Sequence, residues 1–257
     1  MNMRMATLML LAGMAGPLSG CAVQQPSPGC QVQDGLWQVT YLVKNPADKM
    51  RSCGTLTSDQ YGMFKYVVPV SQDPDAPATV ALRPLAAVSL TTYVDKTGTR
   101  RPRVTLTPPA DPNSPTDPTG SLRASSLATS LSASYSQEPD AQQVCQAKSF
   151  GRIALAAQAV ADAAGGPLPA QTVDYQFGDV AVYSSPSAPG VVFEGSLVFG
   201  DGACTAEYRI LGLSPAIPCA ATADCQNPAL GINPEIDVVC LNGGCAPNPD
   251  KALPFRK

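Results

Sequence analysis

Nine cysteines are the side chains of this 257-residue sequence best suited to chemistry. A cysteine can form a disulfide, ligate a metal ion, attack a substrate or carry a covalent group, depending on its surroundings. An odd number cannot pair completely, so one cysteine is expected to have a separate role. The nine are Cys21, Cys30, Cys53, Cys145, Cys204, Cys219, Cys225, Cys240 and Cys245.

Histidine is absent from the sequence. Its absence excludes Ser-His-Asp and Cys-His catalysis, histidine general bases and nearly all catalytic zinc or iron sites. Paired carboxylates could still act, as in glycoside hydrolysis, but most acidic residues lie beside proline or glycine in loops, where we expect them to be solvated. These residues include Asp73, Asp75, Asp111, Asp117, Glu138, Asp140 and Asp201. We therefore predict a protein that is not an enzyme and has no catalytic residues, metal or cofactor.

Residues 1–20 have the properties of a cleaved targeting segment. Arg4 is their only charged residue, and the apolar stretch of residues 5–16 follows it. That length suits the core of a signal peptide and is too short for a membrane span, which needs about 20 residues. Small residues then lead to Cys21. The sequence therefore predicts an exported protein.

The segment Leu18-Ser19-Gly20-Cys21 resembles the cleavage motif of bacterial lipoproteins. The resemblance implies cleavage after Gly20, a diacylglycerol on the Cys21 thiol and a third acyl chain, such as palmitate, on the new amino group. Ala22 stands where many lipoproteins retained at the inner membrane have aspartate. The resemblance therefore favours lipid anchoring at the outer membrane, on its periplasmic or cell-surface face. An ordinary secretory signal with an incidental cysteine is the alternative.

Residues 22–29 are rich in proline and polar side chains, which favours an extended tether between the anchor and the folded body. Two or more acyl chains are enough for stable attachment to the membrane. Once Cys21 is acylated, the other eight cysteines can pair completely in the oxidising compartment that export implies. The formal net charge of −3 and the lack of a basic stripe argue against nucleic-acid binding. A protein or envelope partner is not identified by the sequence.

The tail of the chain, residues 216–250, contains four cysteines and resembles small disulfide-knotted modules of secreted proteins. Here we predict the crossed pairs Cys219–Cys240 and Cys225–Cys245. Zinc is the rival interpretation, but the intervals between these cysteines and the oxidising compartment disfavour it.

The remaining four cysteines belong to the body of the chain. Cys30 and Cys53 flank the first predicted strand, so we expect them to pair with each other. Cys145 and Cys204 are then left to form the second disulfide.

The body is predicted to be mainly β. In the segment LWQVTYLVK, Trp37, Val39, Tyr41 and Val43 alternate with other residues and would share one buried face. Gly200-Asp201-Gly202 lies between two apolar segments and is the strongest hairpin signal.

Three further segments complete this interpretation. Pro84 divides the apolar segment of residues 78–94 into two pieces, which excludes one continuous central strand. Leu127, Leu131 and Tyr135 are expected on one face of another strand, with serines opposite. Residues 151–166 are rich in alanine and end at glycine and proline, which predicts one short helix.

We therefore expect an antiparallel β-sandwich or irregular barrel. The predicted divisions are a signal peptide at 1–20, a tether at 21–29, a β domain at 30–215, a disulfide-rich module at 216–250 and a tail at 251–257.

Two resemblances bear on function. Gly35-Leu36-Trp37 is similar to the start of the first strand of lipocalin-like barrels, which implies a carrier of a small apolar ligand. The cysteine, glycine and aromatic pattern near Cys30 and over residues 202–215 resembles uncharacterised lipoproteins of myxobacteria, which bring no known activity. Our main hypothesis is a lipid-anchored, non-enzymatic envelope lipoprotein with a structural or interaction role; the ligand carrier is the alternative.

Overall fold

The computed structural model describes residues 29–68, 76–186 and 188–253, and these ranges contain mostly strands. The strands are β1 Gly35–Val43, β2 Ser58–Tyr66, β3 Thr79–Pro84, β4 Thr92–Val94, β5 Arg100–Pro102, β6 Ser130–Tyr135, β7 Val144–Phe150, β8 Ile153–Ala157, β9 Val160–Ala161, β10 Pro167–Leu168, β11 Gln171–Ser185, β12 Ala188–Gly200, β13 Thr205–Leu213, β14 Val238–Leu241 and β15 Gly244–Pro247. The helices are α1 Leu85–Thr91, α2 Ser121–Ser126 and α3 Thr222–Cys225, with 3₁₀ turns at Pro46–Met50, Ser52–Gly54 and Pro228–Leu230.

The main sheet closes on itself. Its strands follow the order β12-β13-β1-β2-β3-β6-β7-β11, each antiparallel to the next, and β11 also pairs with β12. Neighbours in the sheet are neighbours in the chain, apart from the insertions between β3 and β6 and between β7 and β11, and apart from β13 and β1, which are the last and first strands of the barrel. Closure leaves these eight strands without a free edge. Of the two architectures left open by the sequence, the structure has the barrel.

The first strand confirms the predicted inward face. Trp37, Val39 and Tyr41 are buried in the main core. Gln38 and Thr40, which alternate with them on the outer face, are buried as well. The tail of the chain buries these residues on the outer face of the barrel.

The tail module covers part of the outer wall of the barrel. Val192, Leu211 and Leu213 point outward from β12 and β13 and form a second core with tail residues that include Ile236 and Val238. Strand β15 contacts both β1 and β13. The outer face of the barrel is therefore apolar where the tail module covers it, and the strands there are buried on both sides.

The helix predicted over residues 151–166 is wrong. Strand β8 occupies its first part, with Ile153, Leu155 and Ala157 buried and the residues between them exposed. Strand β8 pairs with the first part of β11, from Gln171 to Tyr175. Alanine favours a helix, but a two-residue burial period and an antiparallel partner decide the outcome here.

The predicted division at Pro84 is confirmed, because strand β3 ends there and the next residues form helix α1 before the short strand β4. The predicted faces of β6 are wrong in part. Tyr135 is buried as expected, but Leu131 is 48% exposed and Ser132 is buried. The buried serine is satisfied because its Oγ accepts a hydrogen bond from the backbone N–H of Val80 at 2.8 Å.

The insertions cover one end of the barrel. Helix α1 contacts β2, β3, β8 and α2, and its Ala87 and Thr91 are buried. The hairpin at Gly200-Asp201-Gly202, predicted between two apolar strands, joins β12 to β13 near this end. Within the described residues, no helix has both the length and the apolar character needed to span a membrane.

Candidate functional site

The predicted anchor lies outside the described residues. Gly20 and Cys21 are therefore not placed, and lipidation of Cys21 stays a prediction. The described chain starts at Gly29, and Cys30 is already fully buried. Its backbone N–H donates to the carbonyl of Gln137 at 2.8 Å, and the Lys65 ammonium donates to its carbonyl at 2.6 Å. Burial and these two hydrogen bonds thus hold Cys30 firmly in the fold.

The disulfides of the body differ from the prediction. The structure pairs Cys30 with Cys145 and Cys53 with Cys204, so the predicted pairs Cys30–Cys53 and Cys145–Cys204 are wrong. The prediction relied on closeness in sequence. Closure of the barrel instead brings β13 beside β1, with Val43 opposite Tyr208, and this places the residues after β1 next to those before β13.

The disulfides of the tail are those predicted. Cys219 bonds to Cys240, and Cys225 bonds to Cys245. The sulfur atoms of Cys219, Cys225 and Cys245 lie within 4.8 Å of one another, a spacing that would suit a metal ion. These atoms are engaged in disulfides, however, and zinc requires thiolates. The cluster is therefore two adjacent disulfides.

The interior of the barrel is occupied by aromatic rings. Trp37 lies 5.3 Å from Phe193 between ring centroids, and its Nε1 donates to the carbonyl of Gln33 at 2.9 Å. Tyr61 packs edge-on against both Tyr41, at 6.2 Å, and Phe177, at 5.9 Å. These spacings are those of rings in direct contact. The Trp of the lipocalin-like motif is thus a packed core residue.

One carboxylate faces this aromatic interior. Asp59, two residues before Tyr61 on β2, is partly buried and accepts hydrogen bonds from the backbone N–H of Gln60 at 2.7 Å and of Ala86 at 3.3 Å. The Tyr41 hydroxyl is a further hydrogen-bond partner of Asp59 and lies 2.9 Å from the Tyr61 hydroxyl. Asp59 therefore links strand β2, helix α1 and the buried tyrosine pair.

Burial controls the protonation of this cluster. Desolvation raises the pKa of Asp59 to about 6, although its hydrogen bonds act in the opposite direction. Desolvation also raises the pKa values of Tyr41 and Tyr61, so both hydroxyls stay protonated. Asp59 therefore holds its proton below about pH 6. Asp59 was not predicted from the sequence; the available signal was an acidic residue on the inward face of the segment SDQYGMF.

The acidic residues that the sequence analysis named have structural roles where they are described. Asp111, Asp117, Asp140 and Asp201 each accept hydrogen bonds from backbone N–H groups two to six residues further along the chain. This is the usual way in which aspartate stabilises turns and the first turn of a helix. Glu138 is exposed. Asp73 and Asp75 lie outside the described residues.

A cavity lies outside the barrel, at its junction with the tail module. We call it the junction cavity; it has a volume of about 510 Å³. Its walls are mostly apolar and include Leu42, Leu56 and Leu241, and Lys49 lies at its edge. Thr40 also lines it, is 3% exposed, and its hydroxyl has no hydrogen-bond partner among the described residues. The cavity therefore leaves one buried polar group unsatisfied.

Comparison with known proteins places this arrangement in a family. The family model described as MlpA matches residues 35–215, which contain the whole barrel. A protein of Myxococcus xanthus named "Putative lipoprotein MlpA" is 31% identical over 260 residues, covering 95% of each chain. No solved structure matches the chain. The resemblance to myxobacterial lipoproteins is thereby confirmed, and the chain belongs to the MlpA family.

Proposed function

We propose that this protein is a lipid-anchored lipoprotein of the bacterial outer membrane, attached through Cys21, with a non-enzymatic structural or interaction role. The observation that carries the proposal is the extended similarity to a protein named as a lipoprotein, which covers 95% of this chain and so includes the Leu18-Ser19-Gly20-Cys21 motif. The position of the described residues supports it, because they begin at Gly29, eight residues after Cys21 in the sequence.

A non-enzymatic role is supported by the chemistry of the described residues. Histidine is absent, and the cysteines other than Cys21 are in disulfides. Four of the acidic residues named from the sequence stabilise turns. Asp59 faces tyrosine hydroxyls inside a packed barrel, where its hydrogen bonds hold strand β2 and helix α1 together.

The alternative function, a carrier that holds a small apolar ligand inside the barrel, is less well supported. A carrier requires an apolar cavity of about 300 Å³ or more. The interior contains ring-to-ring contacts among Trp37, Phe193, Tyr41, Tyr61 and Phe177 in the place where such a ligand would lie.

The proposal is tested by the N-terminal peptide of the protein expressed in a bacterium with an outer membrane. We expect mass spectrometry to find Cys21 as the first residue, carrying diacylglycerol and an amide-linked acyl chain. Cys21→Ser should abolish acylation and release the body from the membrane fraction. Ser19→Ala, which keeps a small residue before the cleavage site, is the matched control and should be processed normally.

The membrane assignment has its own test. On a density gradient we expect the acylated protein with the outer membrane, and Ala22→Asp should move it to the inner membrane. An unmodified Cys21 in membrane-bound protein would refute the anchor, and acylated protein in the inner membrane would refute only the location.

A further inference from the structure

Apolar side chains are exposed where β2 ends. Phe64 and Tyr66 lie on the outward face of β2, and Val67 and Val68 continue from it; Tyr66 is 55% exposed and Val67 64%. Leu36 on β1 pairs with Gly62, and Phe64 packs over the same glycine, so Leu36 and Phe64 adjoin on the outer face, and Tyr66, Val67 and Val68 follow directly along the chain. We call Leu36, Phe64, Tyr66, Val67 and Val68 the exit patch. A contiguous exposed apolar surface of this kind indicates a site of interaction.

The exit patch lies beside the point at which the tether enters the fold. Lys65, between Phe64 and Tyr66, donates from its side chain to the carbonyl of Cys30 at 2.6 Å and from its backbone to the Asp34 carboxylate at 3.1 Å. Eight residues lie between Cys21 and Cys30, and the nine residue steps from one cysteine to the other reach about 30 Å when fully extended. Acyl chains on Cys21 would therefore keep the exit patch within about that distance of the bilayer.

The charges around the exit patch indicate which kind of lipid surface it can bind. The Lys65 ammonium is engaged with Cys30 and lies 5.5 Å from the centre of the Tyr135 ring. Asp34 and Glu138 both act electrostatically on Lys65. Among the described residues, the patch thus has apolar and aromatic side chains and no free cationic cluster. Aromatic and aliphatic side chains favour the interfacial layer of a bilayer, whereas anionic headgroups would require basic residues.

We propose that the exit patch docks on a zwitterionic lipid surface and orients the barrel with the covered end, where α1 lies, away from the bilayer. This inference rests on the proposed anchor at Cys21. The tether makes weak docking sufficient, because a short flexible linker gives an effective concentration in the millimolar range. Docking would be independent of salt, since it depends on apolar contact.

The test uses the mature chain in a form that does not depend on acylation in the cell. Cys21 is the single cysteine outside the four disulfides, so a dialkyl maleimide lipid can be coupled to it. The lipid-coupled protein is placed on phosphatidylcholine nanodiscs, and the uncoupled Cys21→Ser protein stays in solution. Hydroxyl-radical footprinting then measures labelling of Phe64 and Tyr66 in each. Met50 is the internal control, because it is 91% exposed and follows the other end of β1, away from the exit patch.

We expect labelling of Phe64 and Tyr66 to fall at least fivefold on the nanodisc, in both low and high salt, while that of Met50 changes by less than twofold. Equal labelling on and off the nanodisc would overturn the docking. Protection that disappears in high salt would overturn the apolar mode. The double variant Tyr66→Ser/Val67→Ser should remove the protection of Phe64, whereas Leu122→Ser, an exposed apolar residue in α2, should not. Mass spectrometry of the cellular protein separately decides whether Cys21 is acylated, so the two proposals can fail independently.

Discussion

The disulfides of the barrel join residues far apart in the sequence, whereas those of the tail module join residues close together. The barrel disulfides join residues 115 and 151 positions apart, while those of the module span 21 and 20 positions. The barrel has its own interior of large buried side chains, among them Trp37, Tyr61 and Phe193. The module has a two-stranded sheet, and a hairpin of that size is marginal in water. The barrel is therefore held by its apolar interior and the module by its disulfides and by the barrel wall.

The largest expected effect comes from removing the interior side chain that closes β1 against β12. Trp37→Ala would leave a void beside Phe193 and lose the hydrogen bond to Gln33, so we expect the free energy of unfolding to fall by about 3–5 kcal/mol. Urea denaturation followed by circular dichroism measures it. Met50→Ala, at an exposed position, should change it by less than about 0.5 kcal/mol. A loss for Trp37→Ala below 1 kcal/mol would contradict the role given to the interior.

Removing a disulfide of the tail module should unfold the module while the barrel stays folded. Cys225→Ala with Cys245→Ala is expected to cost the module about 2–4 kcal/mol while the barrel stays folded. Hydrogen exchange should then show fast exchange in β14 and β15 and unchanged protection in β12 and β13. The matched change, Cys53→Ala with Cys204→Ala, should lower the stability of the barrel itself. Joint unfolding of both regions in the Cys225/Cys245 variant would show that they are one cooperative unit.

The third prediction concerns Asp59 and pH. Because its pKa is raised from 3.8 to about 6 in the folded protein, the protonated carboxyl stabilises the fold below pH 4, and this contribution is lost as the pH rises through 6. Asp59→Asn keeps the side chain neutral. We expect the variant to be more stable than the parent at pH 7.5 by about 1–2 kcal/mol, a value reduced for partial exposure, and to lack the decline between pH 4 and 7.

Urea unfolding at a series of pH values tests this. Asp201→Asn is the control of opposite sign, because a hydrogen bond from Ser52, together with backbone N–H groups, lowers the pKa of Asp201. Its stabilising contribution is present above the unfolded pKa and lost as the pH falls. An Asp59→Asn variant that declines in parallel with the parent would show that another group is responsible.

The smallest expected effect concerns the contact between the two regions. Thr40→Val replaces a buried hydroxyl without a described partner by a methyl group of similar size, so we expect a gain of about 1 kcal/mol. Thr57→Val is the control, because the Thr57 hydroxyl accepts a hydrogen bond from the Asn242 side chain at 2.7 Å and its removal should destabilise. A loss of stability in Thr40→Val would indicate that its hydroxyl is satisfied by water. Thermal unfolding measures both.

The sequence indicates features that depend on neighbouring residues. The inward face of β1 follows from the alternation of Trp37, Val39 and Tyr41, and the hairpin at Gly200-Asp201-Gly202 follows from its turn residues. The crossed pairs of the tail lie within a short segment, where few alternatives are close. These signals act over a few residues, and the structure confirms them.

Features that depend on closure of the barrel could not be predicted. The disulfide partners of Cys30 and Cys53 are fixed by which strands meet around the barrel, and no local pattern encodes that. Strand β8 was missed because its alanines favour a helix until β11 supplies a partner. Asp59 was missed because its protonation depends on Tyr41 of β1 and on helix α1, which come from different parts of the chain.

The disulfide between Cys30 and Cys145 also has a mechanical consequence. A pull on the tether enters the fold at Cys30, which continues into β1 and is covalently joined to the start of β7. Strands β1 and β7 are four positions apart in a ring of eight, so they lie on opposite walls of the barrel. Tension applied to the chain ahead of Cys30 is therefore divided between two walls and loads many hydrogen bonds at once. Peeling the first strand away, the easiest route for opening a barrel from its end, requires the covalent bond to break first.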